Sequence, residues 1–526
     1  MRYSLHHHKY IAGQIKMALA AAFLLLATSQ SNADTHGVRT FRKIQLTDKF
    51  WSEAAGFGDL DGDGVNDIVA GPYWYKGPDF RHRYAYAPAT TTFKHKRPDG
   101  TIEEIEGHEG ALGDMEEGSD DGESIFTKVI DLNGDGLPDI LSVAPIVDGS
   151  RVIVWFENPG CLKQKSGCSN KLWKRHVVAE SVDNYSVNFV DLFGAGERVL
   201  IAMSRGRVGY FAPDKKDPAS RWEFHAISEE SDDRPWYMHG LGYGDVNGDG
   251  RMDLLASDGW WEQPAATQAQ SEWTYHPYPF GLGPGQIKQF LAKVGSIKVL
   301  GLFDMTPDGV AVFSSIYGGS QMYVDDVNGD GLPDVISTIA AHGYGLAWWE
   351  QRATKDPMTK APTFQRHLIV NKRATENKYG MVVTEMQAVA WADIDGDGLK
   401  DIVTGKRFWS HGKCCIDPES NAPPVLYWFK QVHHPDKTVE FVPCLVDADS
   451  GAGTQVTIGD VNGDGLPDIV VANSKGAFVF LQESKHVSTD EWEHARETGI
   501  VEPDGTVFRC QKNPPGAPPG DRRAEF

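Results

Sequence analysis

The stretch DVNGDGLPD stands at Asp326–Asp334 and again, letter for letter, at Asp460–Asp468. Four near-copies, DLDGDGVND, DLNGDGLPD, DVNGDGRMD and DIDGDGLKD, begin at Asp59, Asp131, Asp245 and Asp393. A worn copy, DLFGAGERV, begins at Asp191. The seven starting points are 72, 60, 54, 81, 67 and 67 positions apart. A phrase that returns in this way indicates a repeat architecture, in which each unit packs on its neighbours.

The chemistry of the phrase favours a metal ion. Carboxylate or amide side chains at its first, third, fifth and ninth positions can converge on one point, and the glycines let the backbone wrap around that point. Hard oxygen ligands of this kind suit Ca²⁺. One copy could be an ion-free Asp/Gly turn, but six copies with one spacing favour up to six structural calcium sites. The predicted ligands are Asp59, Asp61, Asp63, Asp67, Asp131, Asn133, Asp135, Asp139, Asp245, Asn247, Asp249, Asp253, Asp326, Asn328, Asp330, Asp334, Asp393, Asp395, Asp397, Asp401, Asp460, Asn462, Asp464 and Asp468.

The flanking residues exclude an EF-hand, which needs a Glu at the twelfth position and a helix on each side. The twelfth positions here hold Ala70, Ser142, Ala256, Ser337, Thr404 and Val471. The segments that follow the motif, such as DIVAG and DILSVA, have the composition of β-strands. The motif therefore joins two strands.

Further strands complete each repeat. Aromatic segments such as YWYKGP and GWWEQP come next, and six of the seven repeats then add an outer strand with an aromatic start. The last repeat lacks that strand, and FRKIQLT at Phe41 supplies one before the first repeat. We therefore predict an all-β, seven-bladed β-propeller with four strands per blade, closed by its N-terminal strand, with the calcium loops between first and second strands. DMTPDGVAV (Asp304–Val312) is interpreted as an inserted hairpin, with an eighth blade as the alternative.

The two ends of the chain are assigned separately. Residues 1–33 have a basic start, the apolar run MALAAAFLLLA (Met17–Ala27) and small residues before Asp34, which predicts a cleaved signal peptide. An uncleaved anchor is the alternative, but the run is short for a membrane span. The propeller is assigned to 34–485 and a C-terminal tail to 486–526. We expect a secreted protein, extracellular or periplasmic, with no membrane span in the mature chain.

The net charge argues against one class of partner, and the cysteines bear on the compartment. The net charge of −22 argues against nucleic acid, whose phosphates need a basic surface. Cys161 and Cys168 bracket one short loop, and we expect them to form a disulfide in an oxidising compartment. The sequence leaves open how the remaining cysteines connect, namely Cys414, Cys415, Cys444 and Cys510.

The six D-x-[DN]-G-D-G-x-x-D loops, within about Val38 to Glu483, resemble the FG-GAP/VCBS repeat family, whose propellers include integrin alpha-subunit heads. That resemblance implies the fold and calcium, but no activity. HGLGYGDVNGDGR (His239–Arg251) and AHGYGLAWW around His342 show a distant resemblance to the propeller of fungal aldos-2-ulose dehydratase, although this chain has no room for that enzyme's cupin domains. This second resemblance, like that to propeller-fold ulvan lyases, implies only a reaction class, elimination from a sugar.

In such propellers, the residues before each first strand and the loops after each second strand surround the axis at the face opposite the calcium loops. An elimination there needs a base, and a cation to stabilise the negative charge that develops. The predicted catalytic residues are His239, His342, Arg407 and His411. The predicted substrate-binding residues are Glu53, Tyr237, Asp258, Gln321, Gln387, Lys406 and Gln455.

Two functional hypotheses follow from these residues and their expected placement. The first is a secreted lyase or dehydratase that acts on carbohydrate by base-catalysed elimination at the axial mouth. The alternative is a non-catalytic, adhesion-type propeller whose same face binds a cell-surface glycan or a protein.

Overall fold

The structure is a computed structural model that describes residues 36–113, 115, 121–144, 151–160, 171–231, 234, 238–265, 273–281, 318–413, 417–502 and 504–509. The predicted signal peptide, Tyr237, the Cys161–Cys168 pair and the hairpin predicted at Asp304–Val312 lie outside the described residues. Cys444 lies within the described residues and is disulfide-bonded, whereas the other five cysteines lie outside them.

The described residues are mainly β-structure. The strands are, in chain order, β1 (His36–Thr47), β2 (Ala55–Gly58), β3 (Asp67–Ala70), β4 (Tyr73–Lys76), β5 (His82–Ala85), β6 (Thr92–Lys96), β7 (Ile102–Glu106), β8 (Phe126–Ile130), β9 (Asp139–Ala144), β10 (Arg151–Glu157), β11 (Lys174–Val182), β12 (Asn188–Val190), β13 (Val199–Ser204), β14 (Arg207–Ala212), β15 (Glu223–Ala226), β16 (Leu241–Gly244), β17 (Asp253–Ala256), β18 (Gly259–Glu262), β19 (Thr274–Pro277), β20 (Gln321–Asp325), β21 (Asp334–Thr338), β22 (Leu346–Arg352), β23 (Thr363–Val370), β24 (Val389–Ala392), β25 (Asp401–Gly405), β26 (Leu426–His433), β27 (Val439–Asp447), β28 (Val456–Gly459), β29 (Asp468–Asn473), β30 (Gly476–Val487), β31 (Ile500–Val501) and β32 (Val507–Phe508). Helix α1 spans Thr489–Thr498, and a short 3-10 turn spans Ala374–Glu376.

Strand order in the sheets follows chain order within each repeat. β2–β5, β8–β11, β12–β15 and β24–β27 form four separate four-stranded sheets. The fourth and fifth repeats share one eight-stranded sheet, because their inner strands β16 and β20 pair in parallel, with Leu241 opposite Gln321. β6 and β7 form a two-stranded hairpin in the insertion after the first repeat. The fold is therefore all-β with blades in a propeller arrangement, as the repeats predicted.

The last repeat pairs with the N-terminal strand and packs against the first repeat. It contributes β28, β29 and β30, and β1 lies beside β30 in the same sheet, where the sequence placed the closing strand. Ile68 and Tyr75 of the first repeat share one hydrophobic cluster with Val470 and Val479 of the last. The second strand of each repeat is buried on both of its faces, which explains why its residues are almost continuously apolar.

A second compact unit contains the described residues 36–40 and 483–509. Helix α1 begins after Ser488, whose side chain accepts a hydrogen bond from the backbone N–H of Glu491. Ala495 of this helix packs against Val38 and Val507. The segment that the sequence assigned to a C-terminal tail thus contains a helix and two strands. Ser488 with Glu491 three residues later is a capping pattern that could have predicted the helix. Within the described part of the chain, no helix has both the length and the apolar character that crossing a membrane requires.

Candidate functional site

The first aspartate of each motif builds its loop. Asp59 accepts hydrogen bonds from the backbone N–H groups of Gly62 at 2.7 Å, Asp63 at 3.0 Å and Gly64 at 2.9 Å. Gly62 and Gly64 have φ values of 73° and 89°, a left-handed conformation that glycine adopts without steric cost. This is why the fourth and sixth positions are glycine in all six intact motifs.

The ninth aspartate anchors the loop to the body of the blade. Asp67 is fully buried, and its two oxygens accept hydrogen bonds from Leu60 N–H at 3.0 Å and from Gly77 N–H, just after β4, at 2.9 Å. Burial raises the pKa of Asp67 to about 7, although the two N–H groups oppose this. The ninth aspartates of the other five motifs make the same two contacts.

The loops fit a hard divalent cation. Asp59, Asp61 and Asp67 bring one oxygen each to within 4.8 Å of one another, and Asp393, Asp395 and Asp401 repeat the arrangement. Oxygen ligands at this spacing are what Ca²⁺ prefers. The worn third motif keeps only the turn, in which Asp191 accepts hydrogen bonds from Ala195 and Gly196 N–H at 3.0 and 2.7 Å.

The opposite ends of the strands carry a second cluster. Because the motif loops join first to second strands, residues before a first strand and after a second strand lie at the other end of each repeat. Glu53 precedes β2, His239 precedes β16 and Gln387 precedes β24, whereas His342 follows β21 and Arg407 follows β25. The structure brings all five into one buried network.

The histidines form the centre of this network. His342 Nε2 lies 3.2 Å from His239 Nε2, and its Nδ1 lies 3.0 Å from Ser410 Oγ and 3.1 Å from Gln387 Nε2. The ring of His239 stacks on that of Tyr185, with centroids 4.5 Å apart and an angle of 5°. Both histidines are buried, so solvent does not reach them directly.

His411 is the more accessible member. Its Nδ1 lies 2.8 Å from Asp417 Oδ2, and the other oxygen of Asp417 lies 3.5 Å from His342 Nδ1. The side chain of His411 is 30% exposed, whereas that of Asp417 is 2% exposed. A carboxylate that bonds to one ring nitrogen fixes the tautomer and orientation of the imidazole.

Burial sets the protonation of the two inner rings. It holds the pKa of His239 well below its usual value, and the neighbouring His342 and Arg407 act in the same direction. Burial lowers the pKa of His342 to about 4, against the opposing charge of Asp417. Burial alone would raise the pKa of Asp417, but His342 and His411 outweigh it and hold that pKa well below its usual range. Near neutral pH the inner imidazoles are therefore neutral and Asp417 is ionised.

Arg407, one of the predicted catalytic residues, lies between two carboxylates of the protein. Its Nε lies 3.1 Å from Glu53 Oε2, and its Nη2 lies 3.4 Å from Asp121 Oδ1. Asp121 also pairs with Arg151 at 2.8 Å. Arg407 and Glu53 are almost completely buried, so the carboxylate is placed as a counter-ion to the guanidinium.

Lys406 is likewise buried beside a carboxyl group of the protein. Its ammonium lies 3.0 Å from Glu385 and 2.9 Å from Thr384 Oγ1, and the side chain is buried. Burial raises the pKa of Glu385 to about 8, although Lys406 opposes this. Lys406 was predicted to bind substrate, but its ammonium is used in a buried pair. A sequence cannot distinguish such a lysine from one on the rim, because burial depends on the loops above it.

Three other predicted substrate-binding residues lie outside the histidine network. The amide of Gln321 bonds to Thr454 C=O and Val389 N–H, both at 3.0 Å, and Gln455 bonds to the backbone of Thr127. Their amides therefore join inner strands of different repeats. Asp258 pairs with Arg234 at 3.4 Å.

Sequence reasoning missed Asp417, Ser410 and Asp121. Asp417 follows His411 by six positions, beyond any fixed motif, and Asp121 lies in the insertion after the first repeat. It also missed Trp409, which is half-buried, stacks on Phe408 with centroids 4.7 Å apart, and has a φ of 56°. The segment FWSHG carries these residues, and its aromatic pair beside a histidine was the available signal.

A second kind of metal site is possible in this cluster. His342, His411 and Asp417 each offer a ligand atom, and the three atoms lie within 4.8 Å of one another. Two imidazoles and one carboxylate could hold a divalent transition metal ion. The neutral state of His342 would suit this role, because a ligating imidazole must be deprotonated.

Comparison with known families agrees with the repeat assignment. A model of the FG-GAP-like repeat matches residues 326–404, and a model of the FG-GAP repeat matches residues 452–479. The chain therefore contains FG-GAP repeats in these two segments. The matched segments contain three of the six intact motifs, those that begin at Asp326, Asp393 and Asp460.

No curated protein matches the sequence. Among solved structures, an Agrocybe aegerita lectin that recognises non-reducing terminal N-acetylglucosamine aligns with 13% identity and a TM-score of 0.35, covering 86% of each chain. The exotype rhamnogalacturonan lyase YesX aligns with 13% identity and a TM-score of 0.33, covering 84% of this chain and 72% of its own. The V. cholerae biofilm matrix protein Bap1 aligns with 11% identity and a TM-score of 0.30, covering 84% and 81%. At these values no residue role or activity is transferred to the FG-GAP-repeat chain.

Proposed function

We propose that this protein acts on carbohydrate at the His411–Asp417 pair, by a base-assisted elimination of the lyase or dehydratase class. The observation that carries the proposal is a partly exposed imidazole held at 2.8 Å by a buried carboxylate, two positions after a half-buried tryptophan. The remaining members of the network are buried and hold this pair in position.

The chemistry assigned to His411 follows from its hydrogen bond. Nδ1–H donates to Asp417, which leaves Nε2 as the base. In an elimination, Nε2 takes the proton from a carbon next to a carbonyl or carboxylate, and the electron pair of that C–H bond forms the new C=C bond. The C–O bond on the adjacent carbon breaks, and the leaving oxygen departs with the electron pair of that bond. Asp417 then faces the imidazolium that has formed.

Trp409 supports a sugar as the substrate class. A half-buried ring two positions before the base in the chain offers an apolar face on which the C–H face of a sugar ring can pack. A non-glycine residue with φ of 56° is also strained by about 1–3 kcal/mol, and such strain persists chiefly where the surroundings impose it, often at functional sites.

A second candidate is a glycan-binding site without catalysis. One observation favours it: the cations assigned to charge stabilisation, Lys406 and Arg407, are both used in buried ion pairs. An elimination would then need another positive group, and an ion held by His342, His411 and Asp417 would not supply it while His411 is the base, because a ligating imidazole has no free nitrogen left to take the proton.

The test is a screen for unsaturated products by ultraviolet absorbance, across acidic polysaccharides and keto-sugars, with and without added divalent metal. His411→Ala and Trp409→Ala are compared with His434→Ala. His434 is a matched control, because it pairs with Glu440 at 2.8 Å and is partly exposed in the hairpin between β26 and β27.

The two candidates predict different outcomes. For an enzyme, His411→Ala abolishes turnover, Trp409→Ala raises KM, and His434→Ala retains activity. For a glycan-binding protein, no substrate yields product, and Trp409→Ala weakens glycan binding on an array while His411→Ala has a small effect. Full turnover by His411→Ala would eliminate the catalytic assignment.

We further propose that the propeller has seven blades, is secreted after cleavage of residues 1–33, and binds Ca²⁺ in its six intact motifs. The blade number is supported by the parallel pairing of β16 and β20, which divides the eight-stranded sheet into two antiparallel groups of four. Intact mass of the secreted protein would test the cleavage site and the Cys161–Cys168 disulfide.

A further inference from the structure

The six intact motifs fall into two classes at their third position. That position is Asp in the motifs of the first and sixth repeats, which begin at Asp59 and Asp393, and Asn in the other four. A second position varies together with the third motif position. In each of these repeats, one backbone N–H at the end of the third strand donates to the ninth aspartate, and the second position is the residue just before it. It is Lys76 in the first repeat and Lys430 in the sixth, and elsewhere it is Glu157, Glu262, Glu350 and Leu481.

The two lysines contact the motif carboxylates. The ammonium of Lys76 contacts Asp61 and lies 2.6 Å from Asp63. The ammonium of Lys430 contacts Asp395 in the same way and lies 2.6 Å from Asp397, and its side chain is only 7% exposed. In both repeats one ammonium therefore bridges the third- and fifth-position carboxylates.

The Asn-type repeats use the strand position differently. Its glutamates pair with histidines of the outer strands, at 2.9 Å for His176–Glu157, 2.9 Å for His276–Glu262 and 2.7 Å for His367–Glu350. In the motif of the fourth repeat Arg251 contacts the fifth-position Asp249, but its Nε donates to Gln263 C=O. Only the two lysines bridge two motif carboxylates among the described residues.

The exchange keeps the net charge of five of the six loops constant. An Asp-type motif has four carboxylates and one contacting lysine, which gives −4 + 1 = −3, and an Asn-type motif has three carboxylates, which gives −3, or −3 + 1 = −2 in the fourth repeat, where Arg251 contacts Asp249. The lysine thus offsets the additional carboxylate. A side chain placed in this way performs part of the work of a bound cation.

We propose that Lys76 and Lys430 are resident counter-cations, so that the motifs of the first and sixth repeats keep their loops without calcium and bind it more weakly than the four Asn-type motifs. Ca²⁺ entering these two loops must displace the ammonium or lie beside it, and either course costs free energy, because the ammonium occupies carboxylate oxygens and repels the ion. This inference depends on calcium binding by the motifs and is independent of the carbohydrate proposal.

The experiment is a calcium titration of the full chain by calorimetry after removal of metal with a chelator, together with melting curves in chelator and in calcium. The wild type should show a tight class of four sites and a weak class of two. Lys76→Met with Lys430→Met should tighten the weak class on the order of tenfold or more, because a positive charge in contact with the site is removed. In chelator the same variant should melt at a lower temperature than the wild type.

Two further variants control the result. Lys215→Met makes the same change beside the worn third motif, where the lysine pairs with Glu197, and should alter neither affinity class. Asp61→Asn with Lys76→Leu recreates the Asn462 and Leu481 combination of the last repeat, so it should fold and convert the first site to the tight class, even where the methionine variant unfolds.

Several results would overturn the proposal. Six equal sites in the wild type, unchanged affinity after loss of both lysines, or an unchanged melting temperature in chelator would each show that the lysines do not act as counter-cations. A chain that binds no calcium at all would remove both this proposal and the calcium assignment of the motifs.

Discussion

Replacing Arg407 with methionine removes one buried cation between two carboxylates. Methionine has a similar length, so the cavity is small and the change is mainly electrostatic. Asp121 retains Arg151 at 2.8 Å, but Glu53, which is 1% exposed, loses the guanidinium 3.1 Å away. Breaking a buried pair by removing one partner costs about 3–5 kcal/mol. We expect the free energy of unfolding to fall by that amount.

A double-mutant cycle separates the charge from the loss of packing. In Glu53→Gln with Arg407→Met, no uncompensated carboxylate is left at this position, and we expect about 1–3 kcal/mol of the loss to be recovered. Urea unfolding of both single variants and the double variant, followed by circular dichroism, measures the four corners of the cycle. The m-values must agree for the comparison to hold.

The pH dependence of Arg407→Met gives an independent check. Without its cation, the buried carboxyl of Glu53 favours the protonated form in the folded state. The folded state then binds more protons than the unfolded state, so stability falls as pH rises. The deficit relative to the wild type should be larger near pH 8 than near pH 5. A loss below about 1 kcal/mol, or a double variant no more stable than Arg407→Met, would refute the view that this is a buried, structural pair.

Four more outcomes are expected. Chelation should lower the melting temperature, because an ion that binds only the folded state stabilises it by mass action; an unchanged melting curve after verified metal removal would contradict this. Anomalous scattering should show no ion at Asp191, and a bound ion at that position would contradict the ligand argument for the third motif. Glu385→Gln should gain stability relative to the wild type as pH rises from about 5 to about 8. Burial raises the pKa of Glu385 to about 8 in the folded protein, so the wild type loses stability as pH rises above the lower pKa that this carboxyl has in the unfolded chain. Stability-versus-pH curves of the variant and the wild type that run parallel would argue against this. Gln321→Ala should cost about 2–4 kcal/mol in urea unfolding, because Thr454 C=O and Val389 N–H lose their partner, and a change below about 0.5 kcal/mol would show that water replaces the amide.

Much of the architecture follows from local sequence signals. The motif carries its own turn chemistry, since Asp59 caps N–H groups only three to five residues away and the glycines supply the positive φ angles. Strand periodicity and aromatic segments follow the motif at fixed distances, so the all-β class and the position of β1 beside the last repeat could be predicted. The motif carboxylates and the lysine that contacts them, with Lys76 fifteen positions from Asp61, also lie within one repeat.

The candidate site depended on contacts between repeats that no local pattern encodes. The opposite end of the blades could be named from topology, and this placed His239 and His342 in one region. The partners that decide what each side chain can do lie far away in the sequence, as with Arg407 and Asp121, 286 positions apart. Burial then determines the outcome: a cation on an exposed rim can meet a substrate, whereas one enclosed by neighbouring repeats must be paired within the protein, because an isolated charge in a low-dielectric interior is too costly. Sequence alone therefore identified the repeats, and only the tertiary structure decided that Arg407 and Lys406 are buried while His411 is partly exposed.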